Sequence, residues 1–281
     1  MPLVSTEDML LQAQKGGYAV GAFNVENMEM VQAVLDAAGG LRAPVIIQTT
    51  PSTVRYGSLA LFYANAAAAA RWVKVPVALH LDHGDSFDLA VRAIREGYTS
   101  VMIDGSGEEL EKNIDLTSRV VAVAKPSGVP VEAELGKVGG KEDSLETEEG
   151  MTVPEEAAEF VRQTGISSLA VSIGTAHGVY KGVPKLDFER LRDIRRLVDI
   201  PLVLHGASGL PERDVTACIK EGICKVNYAT ELRMAYTEGV REVLEKNGDV
   251  FDPKAYGKAA RANVVKAVKC RIELCGCAGK Y

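Results

Sequence analysis

The stretch "VPVALHLDHGDS", from Val75 to Ser86, packs His80, Asp82 and His83 into four positions of a chain with only four histidines. An imidazole beside a carboxylate can bind a metal ion through one group and move a proton with the other. The remaining histidines, His177 and His205, stand in "GTAHGVYKG" and "LHGASGL". Glycine follows three of the four: Gly84, Gly178 and Gly206. That residue lets a ligand approach the backbone closely. Three imidazoles with one open coordination position make a catalytic zinc site, as opposed to a closed structural one. His83, His177 and His205 are the candidate ligands. Asp82 is then a candidate general acid or base, with a carboxylate that orients a ligand imidazole as its alternative role.

Elements that would position these groups recur along the chain. Eight β-rich runs are separated by helical stretches: residues 18–25, 43–50, 75–82, 100–106, 129–136, 168–175, 200–206 and 223–230. Four of them carry a proline at or near the first strand position, where the missing N–H is tolerated. Most are continuously apolar, as expected of parallel strands covered on both faces. Amphipathic segments such as "FDLAVRAIREG" and "FERLRDIRRLVD" lie between them. The pattern predicts a single (β/α)8 TIM barrel as one domain over residues 1–281. A doubly wound open sheet is the alternative, weakened because no G-x-G-x-x-G follows the first strand. In such a barrel the C-terminal strand ends share one mouth. Read in order, those ends supply Asn24, Gln48 and Thr50, Asp82 and His83, Asp104, Glu134, His177, His205 and Asn227. His80 has the strand parity of Asp82 and is expected to point into the barrel. Asp104 and Glu134 are candidates for a second cation or for holding the ligand histidines. The glycine- and charge-rich stretch Gly136–Thr152 is expected to be a mobile loop.

Several function classes are disfavoured. The 281 residues carry a formal net charge of −6, which argues against a nucleic-acid or anionic-membrane surface. No apolar run reaches a membrane span, and the first residues lack the layout of a signal peptide. The five cysteines, three of them in "KCRIELCGC", are an odd set that argues against a disulfide scaffold and for a reducing cytoplasm. Their clustering reads either as a metal or redox site or as small apolar residues at a helix end. The alanine run Ala66–Ala70 reads as helix interior. Loops after late barrel strands often bind phosphate through backbone N–H groups. Lys181, Ser208, Asn227 and Thr230 therefore suggest a phosphorylated substrate.

Six segments, "HLDHG", "SVMIDGS", "VEAELGKVGGKED", "AVSIGTAHGVYK", "PLVLHGASG" and "KVNYATEL", together resemble the class II, zinc-dependent ketose-bisphosphate aldolases. The resemblance runs from about residue 3 to the C-terminus. It implies zinc at His83, His177 and His205, Asp82 as the acid/base on the aldehyde-derived hydroxyl, and Asp104 and Glu134 at a second or displaced metal position. It implies that Glu142 moves the proton at carbon 3 of dihydroxyacetone phosphate. Gly178, Lys181, Gly206, Ser208, Asn227 and Thr230 correspond to the triose-phosphate cradle, with a sodium or potassium ion near Gly178 and Gly206. Asn24, Gln48 and Thr50 join the substrate-binding set. Arg233 resembles a residue that reaches a neighbouring subunit, which implies a homodimer or homotetramer. The implied reaction is reversible cleavage of a ketose 1,6-bisphosphate to dihydroxyacetone phosphate and glyceraldehyde 3-phosphate. Ala229 stands where fructose-bisphosphate members often carry an acid, so "NYATEL" is similar to the tagatose-bisphosphate branch. Rival readings are a metal-dependent keto-sugar epimerase using the same retro-aldol site and a non-catalytic sugar-phosphate sensor.

Overall fold

The computed structural model describes residues 3–142, 145–147, 150–180, 182 and 184–281, without the side chains of residues 141–149. All eight expected runs form strands: β1 (Val20–Asn24), β2 (Val45–Thr49), β3 (Val77–Gly84), β4 (Ser100–Ile103), β5 (Val131–Leu135), β8 (Ser168–Val171), β10 (Leu202–Leu204) and β11 (Ile223–Tyr228). They close in the order β1-β11-β10-β8-β5-β4-β3-β2, all parallel. The architecture is one (β/α)8 barrel. The prolines sit one residue before their strands. Pro76, Pro130 and Pro201 have no N–H to offer, but their carbonyls accept from Val45, Val101 and Leu169 and so start the ladder.

The helices form for local reasons that are visible in the chain. In Phe87–Glu96 the Ser86 hydroxyl accepts from the Leu89 N–H, Leu89, Ala90 and Ala93 face the barrel, and Gly97 ends the helix at φ 108°. A serine cap is worth about 1 kcal/mol, and burying one leucine contributes roughly 2 kcal/mol. The alanine run continues the helix Leu59–Ala69 and ends in a short 3₁₀ turn at Ala70–Trp72. At the C-terminus, the helix Pro253–Leu274 packs on Thr230–Lys246 and Met28–Leu41. No helix among the described residues is long and apolar enough to cross a membrane.

Two expectations are corrected. The stretch 136–152 is not simply loop. It contains β6 (Gly139–Glu142) and β7 (Leu145–Thr147), an antiparallel pair, and a bridge between Lys137 and Gly150. The second concerns His177. It does not end a barrel strand: β8 stops at Val171, and His177 belongs to the two-residue strand β9 (Ala176–His177), which pairs with β6.

Candidate metal centre at the barrel mouth

Consecutive strand residues normally point to opposite faces, so Asp82 and His83 should not share a site. A register shift between Leu81 and Gly84 in the β3–β4 pairing resolves this. His83 adopts φ 47°, a left-handed conformation uncommon for a residue with a side chain. The extra residue of such a bulge re-aims its side chain, so both neighbours reach the cavity. Gly84 completes the turn, because a Cβ there would collide with the Met102 carbonyl.

His177 and His205 are brought together by backbone contacts. Gly206 (φ 66°) lies so close to Ala176 that a Cβ would meet its carbonyl oxygen at 2.6 Å. The Tyr180 hydroxyl accepts from the Ala176 N–H (2.9 Å) and donates to the Gly206 carbonyl (2.8 Å), stapling the two segments. On the other side, β6 supports β9: Gly140 is paired with His177, and any side chain at Gly140 would strike the His177 backbone.

The three rings converge. Ring centroids lie 4.6 Å apart for His83 and His205, 5.0 Å for His83 and His177, and 5.9 Å for His177 and His205. One nitrogen from each lies within 4.8 Å of the others. Outer carboxylates assign the free nitrogens. Asp104 Oδ2 sits 2.7 Å from His83 Nδ1, and Glu132 Oε1 sits 3.0 Å from His205 Nε2. Each carboxylate takes an N–H, which leaves His83 Nε2 and His205 Nδ1 facing one another at 2.9 Å. Two imidazole lone pairs at that distance require a cation between them, either a proton or a metal. Glu134 Oε2 lies 3.4 Å from His205 Nδ1 and has no hydrogen-bond partner among the described residues. His83, Asp104 and Glu134 form a second group with ligand spacing. The donor set therefore fits a metal ion.

The electrostatics agree. Burial lowers the basicity of all three rings. For His83 the surrounding Asp82, Asp104 and Glu134 outweigh burial and hold it well above its ordinary value. Burial, then the neighbouring His83, keep His177 and His205 well below theirs. Burial, then the Asp104 charge, push Glu134 up to about 8. Burial would raise Asp104 as well, but its hydrogen bond to His83 wins and holds it low. One positive charge thus concentrates where the lone pairs meet.

Asp82 sits beside this centre, 2 % exposed. Asn24 and Gln48 donate to its Oδ2 (2.8 and 3.2 Å), and Asn227 donates to its Oδ1 (3.0 Å). Burial pushes its carboxyl up, but the His83, His205 and Lys225 charges and the Asn24 amide outweigh it, so Asp82 stays ionised.

A narrow cleft opens over the centre, lined by Asn24, Asp82, His83, His177, Gly178, Gly206, Ser208, Asn227, Ala229 and Thr230. Ser208 accepts from the Ala229 N–H (3.2 Å) at the start of the 17-residue helix Thr230–Lys246, whose N-terminus faces the cavity. Other expected site residues lie elsewhere. Gln48 is fully buried and binds Asn24 and Asp82 from behind. Thr50 caps the helix Pro51–Gly57 and does not line the cavity. Arg233 pairs with Glu26, which also accepts from Thr53. Lys181 and the Glu142 side chain lie outside the described residues. The cysteines form no site: four of the five are buried and all are free, and among the described residues the only groups with metal spacing are the two at the mouth. Tyr180, Glu132 and Lys225 escape a reading that looks only at strand ends. Parity was the available signal for the last two: Glu132 shares the face of Glu134, and Lys225 that of Asn227.

A closed parallel barrel with three imidazoles, their outer carboxylates and a held carboxylate at its C-terminal mouth defines a (β/α)8 barrel with a candidate metal site. The family model for class II fructose-bisphosphate aldolases matches residues 4–280, and the chain belongs to that family. It is an aldolase, a carbon–carbon lyase. Among solved structures it is similar to the YdjI aldolase of Escherichia coli K12, at 36 % identity over 99 % of both chains with a TM-score of 0.87. A Coccidioides immitis protein assigned as a fructose-1,6-biphosphate aldolase is 33 % identical over 97 % of this chain and 96 % of that one, with a TM-score of 0.90. Fructose-bisphosphate aldolase of Campylobacter jejuni is 26 % identical over 100 % of this chain and 97 % of its own, with a TM-score of 0.87.

Proposed function

We propose that this aldolase uses zinc at His83, His177 and His205 to cleave a ketose 1,6-bisphosphate, with tagatose 1,6-bisphosphate accepted at least as well as its fructose epimer. The observation that carries the metal reading is the convergence of His83, His177 and His205, which bring one nitrogen each within 4.8 Å of the others, with Asp104 and Glu132 hydrogen-bonded to the outer nitrogens of His83 and His205. When bound, zinc supplies Lewis-acid polarisation of the carbonyl and hydroxyl oxygens of the dihydroxyacetone phosphate half. Asp104 and Glu132 hold the His83 and His205 rings, and Asp104 and Glu134, with His83, offer a second metal position.

Asp82 acts on the other half. Held as an anion at the cavity wall, it takes the carbon-4 hydroxyl proton as the carbon 3–carbon 4 bond breaks, and returns it in the condensation direction. Glu142 moves the proton at carbon 3 of dihydroxyacetone phosphate. The phosphate of that half is cradled by the N-terminus of the helix Thr230–Lys246 together with Gly178, Lys181, Gly206, Ser208, Asn227 and Thr230. A helix N-terminus favours an anion through its free N–H groups and dipole. A sodium or potassium ion near Gly178 and Gly206 belongs to the same proposal. So does an assembly of two or four copies, in which Arg233 serves a neighbouring site.

The tagatose preference rests on Ala229, which lines the cavity with a methyl group where a carboxylate would accept a substrate hydroxyl. Trapping the products decides the reaction. Glyceraldehyde 3-phosphate and dihydroxyacetone phosphate should appear in equal amounts from either bisphosphate. Epimerised ketose with no trappable triose would overturn cleavage as the net reaction.

A further inference from the structure

The interior of a (β/α)8 barrel is normally filled by branched apolar side chains. Directly beneath this cavity it is charged. Glu132 and Lys225, on β5 and β11, are buried inside the barrel, Lys225 completely. The Lys225 ammonium donates to both Glu132 oxygens, at 3.1 and 2.8 Å. The same Glu132 Oε1 accepts from His205 Nε2 at 3.0 Å. His80 donates to or accepts from Ser100 at 2.8 Å through Nδ1, and its Nε2 stops 3.8 Å from Glu132 Oε2 with no hydrogen-bond partner among the described residues. A buried ion pair is a weak source of stability, because desolvation offsets its attraction. Its retention here calls for another role, and its geometry supplies one.

We propose that Lys225 is a positioning residue for the metal centre: by gripping both oxygens of Glu132 it fixes the carboxylate so that His205 donates through Nε2 and presents Nδ1 to the metal. This rests on the zinc reading above. A carboxylate held by one imidazole N–H alone can rotate about its terminal torsion, which is broad and two-fold. His205 would then be free to exchange tautomers or turn its ring, and either change removes Nδ1 from the site. Lys225 removes that freedom. Its strand also carries Asn227, two residues on and on the same face, which holds Asp82. One strand thus fixes both a ligand's partner and the proton-moving carboxylate.

The test compares the wild type with Lys225→Met and with the double variant Glu132→Gln/Lys225→Met. In the double variant the glutamine oxygen can accept from His205 Nε2 with no cation needed, and its amide nitrogen faces the unpartnered His80 Nε2. Zinc affinity is measured by competition with a chromophoric chelator, and the ligand field by the visible absorption of the cobalt(II) form. Lys225→Met should weaken zinc by about 10–100-fold, the usual loss when an outer partner of a ligand is disturbed, and the double variant should return to within about threefold of wild type. The cobalt(II) bands should change in the single variant and recover in the double. If Lys225→Met does not fold, a folded double variant with near wild-type affinity supports the proposal. A folded Lys225→Met with wild-type affinity and spectrum overturns it, as does a double variant as weak as the single. A wild type that binds no zinc overturns the metal reading itself, and this inference with it.

Discussion

Replacing Tyr180 by phenylalanine deletes one oxygen and leaves two backbone groups without a partner. The lost hydroxyl accepts from the Ala176 N–H and donates to the Gly206 carbonyl, at 2.9 and 2.8 Å. A buried group stranded in this way costs about 1–3 kcal/mol. Tyr180 is only partly buried, so water satisfies part of the loss, and the lower end applies: roughly 2 kcal/mol for the two together. The cost falls on the contact that sets His177 against His205, outside the barrel ladder. At about 1.4 kcal/mol per decade, it should appear as a roughly 30-fold weaker zinc affinity. The metal-free melting temperature should move by less than about 1 °C, since a fully global loss of this size would shift a chain of this length by about 3 °C. Chelator competition and a thermal melt of the metal-free protein read the two quantities separately. An unchanged zinc affinity with a melting temperature lowered by the full global amount would refute the staple and make Tyr180 a fold residue.

Asp82→Ala should keep zinc and bind dihydroxyacetone phosphate, yet lose cleavage by about 100-fold or more; loss of zinc would make Asp82 a structural partner of the site. Ala229→Asp should shift the ratio of kcat/KM values toward fructose 1,6-bisphosphate, and a wild type strongly selective for the fructose epimer would contradict the branch assignment. The metal-free protein should lose stability as pH rises above about 6.5, the ordinary histidine value. His83, held above its ordinary value, contributes stability that disappears as pH rises through its folded value, and Glu134 adds a growing penalty until it is ionised above about 8. Below neutrality His80, His177 and His205, all held low, act in the opposite sense, so the melting temperature should peak near neutral pH and zinc should flatten its alkaline side. A metal-free melting temperature still rising from pH 7.5 to 9 would contradict this assignment.

Much of the barrel was legible because its strands are continuous apolar runs, several announced by a proline, and parallel strands buried on both faces must look like that. Asp82 and His83 stood out as chemistry, but their shared orientation was not legible. Alternation predicts opposite faces, and only the register shift with His83 at φ 47° reverses it. The placement of His177 was hidden for a related reason. A two-residue strand held by β6 leaves no periodicity to read, and the charged, glycine-rich sequence that supplies β6 resembles an ordinary loop. Lys225 and Glu132 were readable in principle, since strand parity puts them on the inner face with Asn227 and Glu134. A rule that looks for chemistry only at strand ends passes over a buried pair one layer below.

The most direct test of the zinc aldolase reading is a titration of metal-stripped protein with zinc while aldol cleavage of the bisphosphate is followed. Activity should rise linearly and stop near one zinc per chain, and His205→Ala should stay inactive at the same zinc concentration. Full cleavage by the metal-stripped protein, with no response to added zinc, would contradict it.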